Sequence, residues 1–324
     1  MSDSTFELDP DAVSRLCSLV DNADRILLAA HRNPDGDAVG SLLGARALLS
    51  AQGKECIAYC PDGIPSVLSF LPGAALVTDR MPEPPCDLTI LLDTPEQALW
   101  TDGFSPQGDF VVIDHHARAD DFGDLVIRKP ASAVGEIIYY LAEAAGWTVD
   151  RDAAVCLYTS IVSDTSSFRY RSADRDAHVA TAALIERGAM PATVSSHLFE
   201  SVSLVKRRLL AEVLSTLETA AGGRYASIYC TRATIEAVGA LSEDLSGMVN
   251  FARGIQGVEL AALLREEADG AIRVSLRSKG TVDASEIAEQ FGGGGHVNAA
   301  GGLLPGPMSD ALDTLKKFAE TILQ

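Results

Sequence analysis

The chain has 324 residues, of which 47% are hydrophobic and 22% are charged. This length exceeds what one hydrophobic core usually fills, so we expect two domains of a globular protein. The 26 basic residues stand against 45 acidic ones, a net charge of −19. Proteins that track long nucleic acids neutralise many phosphates with a basic surface, so this charge argues against a long DNA or RNA partner and against an anionic membrane surface.

No segment of the sequence has the pattern of a targeting signal or a membrane helix. No apolar run approaches the roughly 20 residues that a membrane span needs, and the acidic start of the chain lacks the order of a signal peptide. The six cysteines include no C-x-x-C pair, which is typical of free thiols in a reducing compartment. We therefore expect a cytoplasmic protein.

The first half of the chain alternates predicted helices and strands. In chain order the pattern predicts a helix over 10–21, a strand over 25–30, a helix over 38–51, strands over 55–60, 88–92 and 110–113, and helices over 133–145, 151–163 and 175–187. Parallel strands need crossover helices, so this alternation predicts an α/β domain, a mostly parallel sheet with helices on both faces.

A predicted amphipathic helix over 203–221 separates this part from a second one. Beyond it the pattern predicts a strand over 225–230, helices to about Arg253, strands over 258–265 and 271–277, a helix over 283–290, a glycine-rich segment over 292–302 and a helix over 309–323. We expect a first domain over residues 1–188, a connector over 189–222, and a second, smaller α/β domain over 223–324.

Four apolar elements of the first domain end in carboxylate or imidazole side chains. The residues are His31, Asp35, Asp37, Asp93, Asp114, His115, His116 and Asp164. A single Asp at such a place is as often a turn residue or a helix cap. The carboxyl ends of parallel strands meet at one edge of a sheet, so four such ends together predict a metal centre.

Six of these side chains suit two divalent ions that share one bridging carboxylate: His31, Asp35, Asp37, Asp93, His115 and Asp164. Four carboxylates and two dications form a neutral cluster that can accept hydroxide and phosphate. Oxygen-rich sites with two imidazoles favour manganese, with magnesium or cobalt as substitutes, whereas a structural zinc site would contain thiolates. Two ions about 3.5–4 Å apart can stabilise both the attacking and the leaving oxygen in phosphoryl hydrolysis.

The same residues lie in motifs that resemble those of the DHH phosphoesterases. The motifs are His31-x-Asn-Pro-Asp35-Gly-Asp37, the lone Asp93, Asp114-His115-His116 and Ser163-Asp164-Thr165. Gly292 to His296, followed by Ala299-Ala300-Gly301-Gly302, resembles the motif of the appended DHHA1 domain. These motifs span nearly the whole chain in the right order. The short two-domain layout resembles the NrnA-like group, whose members hydrolyse very short oligoribonucleotides and 3′-phosphoadenosine 5′-phosphate (pAp).

The resemblance implies a role for each residue of the cluster. One manganese ion would be held by His31, Asp35 and Asp93, and the other by Asp37, Asp93, His115 and Asp164. His116 would face the scissile phosphate, stabilise its charge and protonate the leaving oxygen, and Asp114 would orient a ligand. Residues 166–170, which follow this last motif, either line the pocket or form an exposed turn.

In the second domain, two neighbouring segments are candidates for binding the substrate. Arg277 and Ser278 end a predicted strand, where a guanidinium can make a bidentate contact with phosphate. The backbone N–H groups of Gly293, Gly294 and Gly295 can approach a phosphate closely, and His296 follows them. A flexible glycine hinge is the alternative interpretation of this segment.

The resemblance thus implies an enzyme that hydrolyses short oligoribonucleotides and pAp to mononucleotides, and we expect its active site in a cleft between the two domains. A phosphodiesterase for cyclic di-AMP or pApA is the main alternative. An inorganic pyrophosphatase, a RecJ-type exonuclease and a non-catalytic nucleotide sensor are weaker ones. The preferred substrate, the cleavage polarity and the oligomeric state stay open, with a homodimer as the default expectation.

Overall fold

The computed structural model describes residues 6–95, 97, 104–116, 119, 120 and 122–323. The chain divides into two compact units, Met1–Ser201 and Val202–Gln324. The division falls inside the predicted connector, over 189–222, rather than at either of its ends. Within the described residues, no helix combines the length and the apolar character that crossing a membrane requires.

Five parallel strands form the sheet of the first unit. They are β1 (Arg25–Ala30), β2 (Glu55–Tyr59), β3 (Leu88–Leu92), β4 (Asp109–Asp114) and β5 (Leu125–Arg128), in the spatial order β2-β1-β3-β4-β5. The central strands β1 and β3 are buried almost throughout, as expected for parallel strands covered on both faces. β5 was not predicted, because four residues are too few to show a strand pattern.

The helices of the first unit pack mainly on one face of this sheet. They are α1 (Pro10–Asn22), α2 (Gly36–Ala51), α3 (Val134–Ala145), α4 (Arg151–Asp164), α5 (Arg175–Glu186) and α6 (Pro191–Ser195), the last continued by a single π-helical turn over Ser196–Glu200. Among the described residues, the other face is covered by side chains from the connecting segments, such as Cys86 and Phe122, which pack on Leu27, Leu91 and Val112.

Two glycines let α2 approach α4 closely. A Cβ at Gly40 would lie 2.7 Å from the carbonyl oxygen of Cys156 and 2.8 Å from the nitrogen of Ser160, and a Cβ at Gly44 would lie 2.4 Å from the side chain of Leu157. No side chain fits in that space. The start of α2 and the end of α4 are therefore held near each other.

The second unit is a six-stranded mixed sheet with helices on both faces. Its strands are β6 (Glu218–Ala220), β7 (Tyr225–Cys230), β8 (Leu260–Glu266), β9 (Ile272–Ser278), β10 (Gly294–His296) and β11 (Ala299–Leu304), in the order β10-β11-β9-β8-β7-β6. Only β7 and β8 pair in parallel within this sheet. The helices are α7 (Leu204–Ser215), α8 (Arg232–Val238), α9 (Val249–Arg253), α10 (Ala284–Glu289) and α11 (Met308–Ile322). The first three share one core, and the last two share the other.

One sequence-based expectation for the second unit was wrong. The helix predicted over 203–221 ends at Ser215, and the chain continues as β6. The glycine-rich segment, for which no strand was predicted, forms an antiparallel hairpin. A Cβ at Gly293 would lie 2.0 Å from the carbonyl oxygen of Gly301, and Gly295 has a φ of 142°. The glycines are therefore needed for the close contact of these strands, and strands without large side chains carry no hydrophobic pattern.

Candidate metal centre

Three strands of the first unit deliver polar side chains to one edge of its sheet. His31 follows β1, Asp93 follows β3, and Asp114 is the last residue of β4, with His115 next to it. β3 lies between β1 and β4. Asp93 is therefore placed between the imidazoles that the two flanking strands deliver.

Two helices bring three further carboxylates to this group. Asp35 caps α2, because its Oδ1 accepts hydrogen bonds from the backbone N–H groups of Asp37 and Ala38 at 3.0 and 3.1 Å. Asp37 lies in the first turn of the same helix, and Asp164 is the last residue of α4. The close contact of α2 with α4 thus brings these carboxylates together.

The donor atoms form three overlapping groups. Within each group, one nitrogen or oxygen atom of every residue lies within 4.8 Å of the others. The groups are His31, Asp35 and Asp93; Asp37, His115 and Asp164; and Asp93, His115 and His116. The first two match the sets that the family resemblance implies for two ions, apart from the shared Asp93. The third group also includes His116, which the resemblance does not place among the metal ligands.

Asp93 lies at the centre of this arrangement. Its Oδ2 is 3.5 Å from Nε2 of His31, and its Oδ1 is 3.6 Å from Nε2 of His115. The residue is 3% exposed, and its Oδ1 has no hydrogen-bond partner among the described residues. A buried carboxylate oxygen without a partner is costly, and a cation would satisfy it. The residues present therefore fit a divalent metal ion.

Backbone carbonyl groups orient the two imidazoles. Nδ1 of His31 lies 2.7 Å from the carbonyl oxygen of Arg32, and Nδ1 of His115 lies 3.1 Å from that of Ala131. When Nδ1–H donates to a carbonyl oxygen, Nε2 carries the lone pair, which is the usual arrangement of a metal-binding histidine. In both residues, Nε2 is the atom nearest to Asp93.

Asp37 is held by groups that the sequence did not indicate. Its Oδ1 accepts a hydrogen bond from Oγ of Ser160 at 2.6 Å, and its Oδ2 accepts one from the N–H of Val134 at 2.8 Å. Val134 is the first residue of α3, whose N-terminal dipole favours a negative charge there. A serine inside an apolar helix has no distinguishing sequence pattern, so Ser160 was missed.

A second chain of contacts orients His116. Its Nδ1 donates to Oδ1 of the buried Asp114 at 2.7 Å, and Nε of Arg128 lies 3.4 Å from Oδ2 of the same carboxylate. Burial opposes ionisation of Asp114, but the hydrogen bond from His116 and the charges of the histidines hold its pKa below the usual 3.8. Arg128 was missed, because it belongs to the unpredicted β5.

Burial and the crowding of carboxylates change the pKa values of the cluster. Burial raises the pKa of Asp37 and of Asp93, and burial together with the nearby Asp37 raises the pKa of Asp164 from 3.8 to about 7. Burial disfavours the protonated form of His115, but Asp37, Asp93 and Asp164 raise its pKa from 6.5 to about 9. In this cluster a positive charge is favoured, whether it is a proton or a metal ion.

The turn after α4 has an uncommon backbone. Ser166, Ser167 and Phe168 have φ angles of 51°, 60° and 60°, three consecutive residues in the left-handed region. The Phe168 ring is half-buried and stacks on His178, with ring centroids 4.9 Å apart, whereas Ser167 and Arg169 are exposed. The segment is thus a turn with one side chain anchored in the core.

The candidate substrate-binding residues of the second unit are neighbours in its sheet. Arg277 is half-buried on β9 and pairs with Ala299 of β11, which in turn pairs with His296 of β10. Ser278 is fully buried, and its Oγ donates to the carbonyl oxygen of Val297 at 2.9 Å, so it ties β9 to the hairpin. Gly293, Gly294 and Gly295 lie in or next to β10. The side chain of His296 lies outside the described part of the structure.

Family models match a segment in each of the two units. Residues 25–161 match the model of the DHH family, N-terminal domain, and residues 230–324 match that of the DHHA1 domain. A solved structure, described as an exopolyphosphatase-related protein from Bacteroides fragilis, superposes with a TM-score of 0.93 at 27% identity and covers 99% of each chain.

Two curated relatives indicate which members of this family the chain resembles in sequence. The bifunctional oligoribonuclease and PAP phosphatase NrnA of Thermus thermophilus is 34% identical over 87% of this chain and 84% of its own length. The Bacillus subtilis protein of the same name is 31% identical over 86% of this chain and 88% of its own length. The chain belongs to the DHH–DHHA1 phosphoesterase family, among the relatives of NrnA.

Proposed function

We propose that the protein is a metal-dependent phosphoesterase that hydrolyses short oligoribonucleotides and pAp to mononucleotides. The observation that carries this proposal is the shared position of Asp93, whose two oxygens face the imidazoles of His31 and His115 from a buried site. The NrnA relatives, which match this chain over most of its length, are named for these two activities.

The donor set favours two ions, with Mn²⁺ as the best candidate. His31, Asp35 and Asp93 would hold one ion, and Asp37, Asp93, His115 and Asp164 would hold the other. Carboxylate oxygens with a minority of imidazoles suit Mn²⁺, and Mg²⁺ or Co²⁺ are the nearest substitutes. Such ions, when bound, supply a hydroxide nucleophile at neutral pH and neutralise charge on the phosphoryl oxygens.

His116 and Asp114 act next to these ligands. The hydrogen bond from Nδ1–H of His116 to Asp114 fixes the ring, so Nε2 is the atom that delivers a proton to the leaving oxygen. Asp114 stays ionised, because its pKa is lowered, and it stabilises the protonated imidazole. The third donor group, with Asp93 and His115, makes His116 an alternative metal ligand. Variants of His115 and of His116 separate these two roles.

In this proposal the second unit supplies groups that suit a nucleotide phosphate. Arg277 offers a fork of donors that suits a phosphate, and the hairpin with Gly294 and Gly295 offers an exposed backbone beside it. A local group of donors can bind a small anion even in a chain of net charge −19, whereas a long strand would meet repulsion along its length.

The test is a comparison of kcat/KM with Mn²⁺ for pAp, the diribonucleotide ApA, cyclic di-AMP and pyrophosphate. We expect turnover of pAp and ApA to exceed that of the other two. A preference for cyclic di-AMP would favour the phosphodiesterase alternative, and turnover of pyrophosphate alone would replace the proposal with a pyrophosphatase. Asp93→Asn in each assay identifies activity from a contaminant.

A further inference from the structure

A buried glutamate of the first unit takes no part in the proposed chemistry. Glu136 lies in the first turn of α3 and is 1% exposed. It belongs to none of the three donor groups that the described residues form. A carboxylate that is removed from water is costly unless hydrogen-bond donors satisfy it, so the contacts of Glu136 indicate what it does there.

Two hydrogen bonds join Glu136 to Ser132, four residues earlier. Oε2 of Glu136 accepts from the backbone N–H of Ser132 at 2.8 Å and from its Oγ at 2.6 Å. In the usual capping box, a glutamate at the third position of a helix accepts from the N–H of the N-cap residue. Here the N-cap is Ala133, and Glu136 bonds the residue before it. Glu136 thus fixes the segment that leads into α3.

The N–H of Ser132 belongs to the same peptide group as the carbonyl of Ala131. That carbonyl oxygen lies 3.1 Å from Nδ1 of His115. A trans peptide group is planar, and its N–H and C=O point in opposite directions. The hydrogen bond to Glu136 on one side therefore sets the direction in which the carbonyl meets the imidazole on the other. Hydrogen bonds in such a chain also polarise one another.

The first turn of α3 contacts a second candidate ligand. The N–H of Val134 donates to Oδ2 of Asp37 at 2.8 Å, and the N–H of Gly135 lies 3.4 Å from Oδ1. Asp37 thus satisfies N–H groups that a helix leaves without a partner at its start. Asp37 and His115 belong to the same donor group. Segment 131–135 therefore contacts two candidate ligands of one ion.

We propose that Glu136 is a positioning residue for one of the two metal ions, the ion that Asp37, His115 and Asp164 would hold. It fixes the peptide group that orients His115, and it fixes the start of the helix that Asp37 caps. Residues that orient metal ligands in this way typically change metal affinity by about 10–100-fold. The inference rests on the two-ion centre of the proposed function, and it adds a residue that is not itself a ligand.

Three variants separate this role from a general effect on folding. Glu136→Ala should weaken the binding of one Mn²⁺ ion by about 10–100-fold and leave the affinity for the other near that of the unmodified chain. Glu136→Gln keeps a carbonyl oxygen that can accept both hydrogen bonds from Ser132, so it should bind both ions nearly as tightly as the unmodified chain. Ser132→Ala loses the hydroxyl bond and keeps the N–H bond, so it should weaken the same ion by a smaller factor.

The experiment titrates the metal-free full chain and its variants with Mn²⁺ alone by calorimetry, and thermal unfolding shows that each variant is folded. The matched control is Asp150→Ala, because Asp150 caps α4 by accepting from the N–H of Ala153 at 2.8 Å. The 14 residues of α4 place this cap about 21 Å from Asp164, the candidate ligand at the other end of the helix. This control should lower the unfolding midpoint and leave both Mn²⁺ affinities unchanged.

Unchanged binding of both ions by Glu136→Ala, or equal weakening of both, would overturn the inference and leave the proposed function standing. A loss of affinity of the same size in Asp150→Ala would overturn it too, because any lost helix cap would then have this effect. If Glu136→Ala does not fold, unchanged binding by Ser132→Ala overturns the inference instead.

The failure of the proposed function has a different signature. Selective weakening of one ion in Glu136→Ala, in a chain that hydrolyses neither pAp nor ApA, would overturn the proposed function and support the inference. Binding of a single ion by the unmodified chain would contradict both.

Discussion

Oδ1 of Asp93 lies 3.6 Å from Nε2 of His115, too far for a hydrogen bond and close to the separation of two ligands on one metal ion. Ligands about 2.0–2.2 Å from an ion lie roughly 3–4 Å from each other. The other carboxylate oxygen has the same relationship to His31, at 3.5 Å. One side chain is thus in position to contribute to two ions.

Asp93→Asn tests that position. Asp93 has a φ of 53°, a conformation that asparagine tolerates well, so the variant should fold normally. Because an amide cannot neutralise two dications, we expect activity on every substrate to fall below detection and at least one ion per chain to be lost. Elemental analysis and kcat measure the two effects.

The control for this variant is Asp109→Asn, at the exposed start of β4. It removes a carboxylate at the far end of the neighbouring strand β4 and should leave both kcat and the number of bound ions unchanged. Two bound ions in purified Asp93→Asn would contradict the bridging assignment.

His115→Ala and His116→Ala should separate metal binding from proton transfer. His115 faces three carboxylates through Nε2, so its removal should release metal. His116 donates to Asp114, so its removal should lower kcat by roughly 10²–10⁴ with the ions retained. Equal loss of manganese in both variants would instead make His116 a ligand, as its proximity to Asp93 allows.

The metal-free protein should lose stability as the pH rises. The folded-state pKa of Asp164 is raised to about 7, so its contribution is fully present below pH 3.8 and is lost as the pH rises through about 7. The pKa of His115 is raised to about 9, so its contribution is present below 6.5 and is lost as the pH rises through about 9. A bound divalent ion would replace these protons, so the stabilising effect of added Mn²⁺ should grow over the same range.

Thermal unfolding with and without a chelator, from about pH 5 to about pH 9, measures this dependence. Asp164→Asn should flatten the curve of the metal-free protein near neutral pH, because the titrating group is gone. A midpoint that rises with pH in chelator would refute the assignment of these raised pKa values.

The length of the substrate gives a fourth prediction. We expect kcat/KM to fall steeply for RNA longer than about five nucleotides, a cutoff that the family resemblance implies, and each further phosphate adds repulsion from a chain of net charge −19. A ladder of 5′-labelled oligoribonucleotides from two to about twenty-four residues measures it. Added salt should weaken the discrimination, since it screens the repulsion. A flat or rising profile would support the exonuclease alternative.

The strands that deliver ligands were predictable because burial on both faces gives them unbroken apolar runs. The predicted bounds 25–30 and 88–92 are those of β1 and β3. Ser160 could not be found in this way, since its partner Asp37 lies 123 residues away and meets it only after α2 packs on α4. Arg128 and the glycine hairpin were missed for a different reason: the strand of Arg128 has only four residues, and the hairpin lacks large side chains, so neither shows a hydrophobic pattern.

The contact at Gly40 has a consequence for ion binding. Asp37 lies in the first turn of α2 and Asp164 is the last residue of α4, so the spacing of these helices affects the distance between the two carboxylates. A methyl group at Gly40 would meet the backbone of Ser160 and force the helices apart. The separation of two candidate metal ligands therefore depends on a residue that supplies no ligand atom, and we expect Gly40→Ala to disturb ion binding while every ligand stays in the sequence.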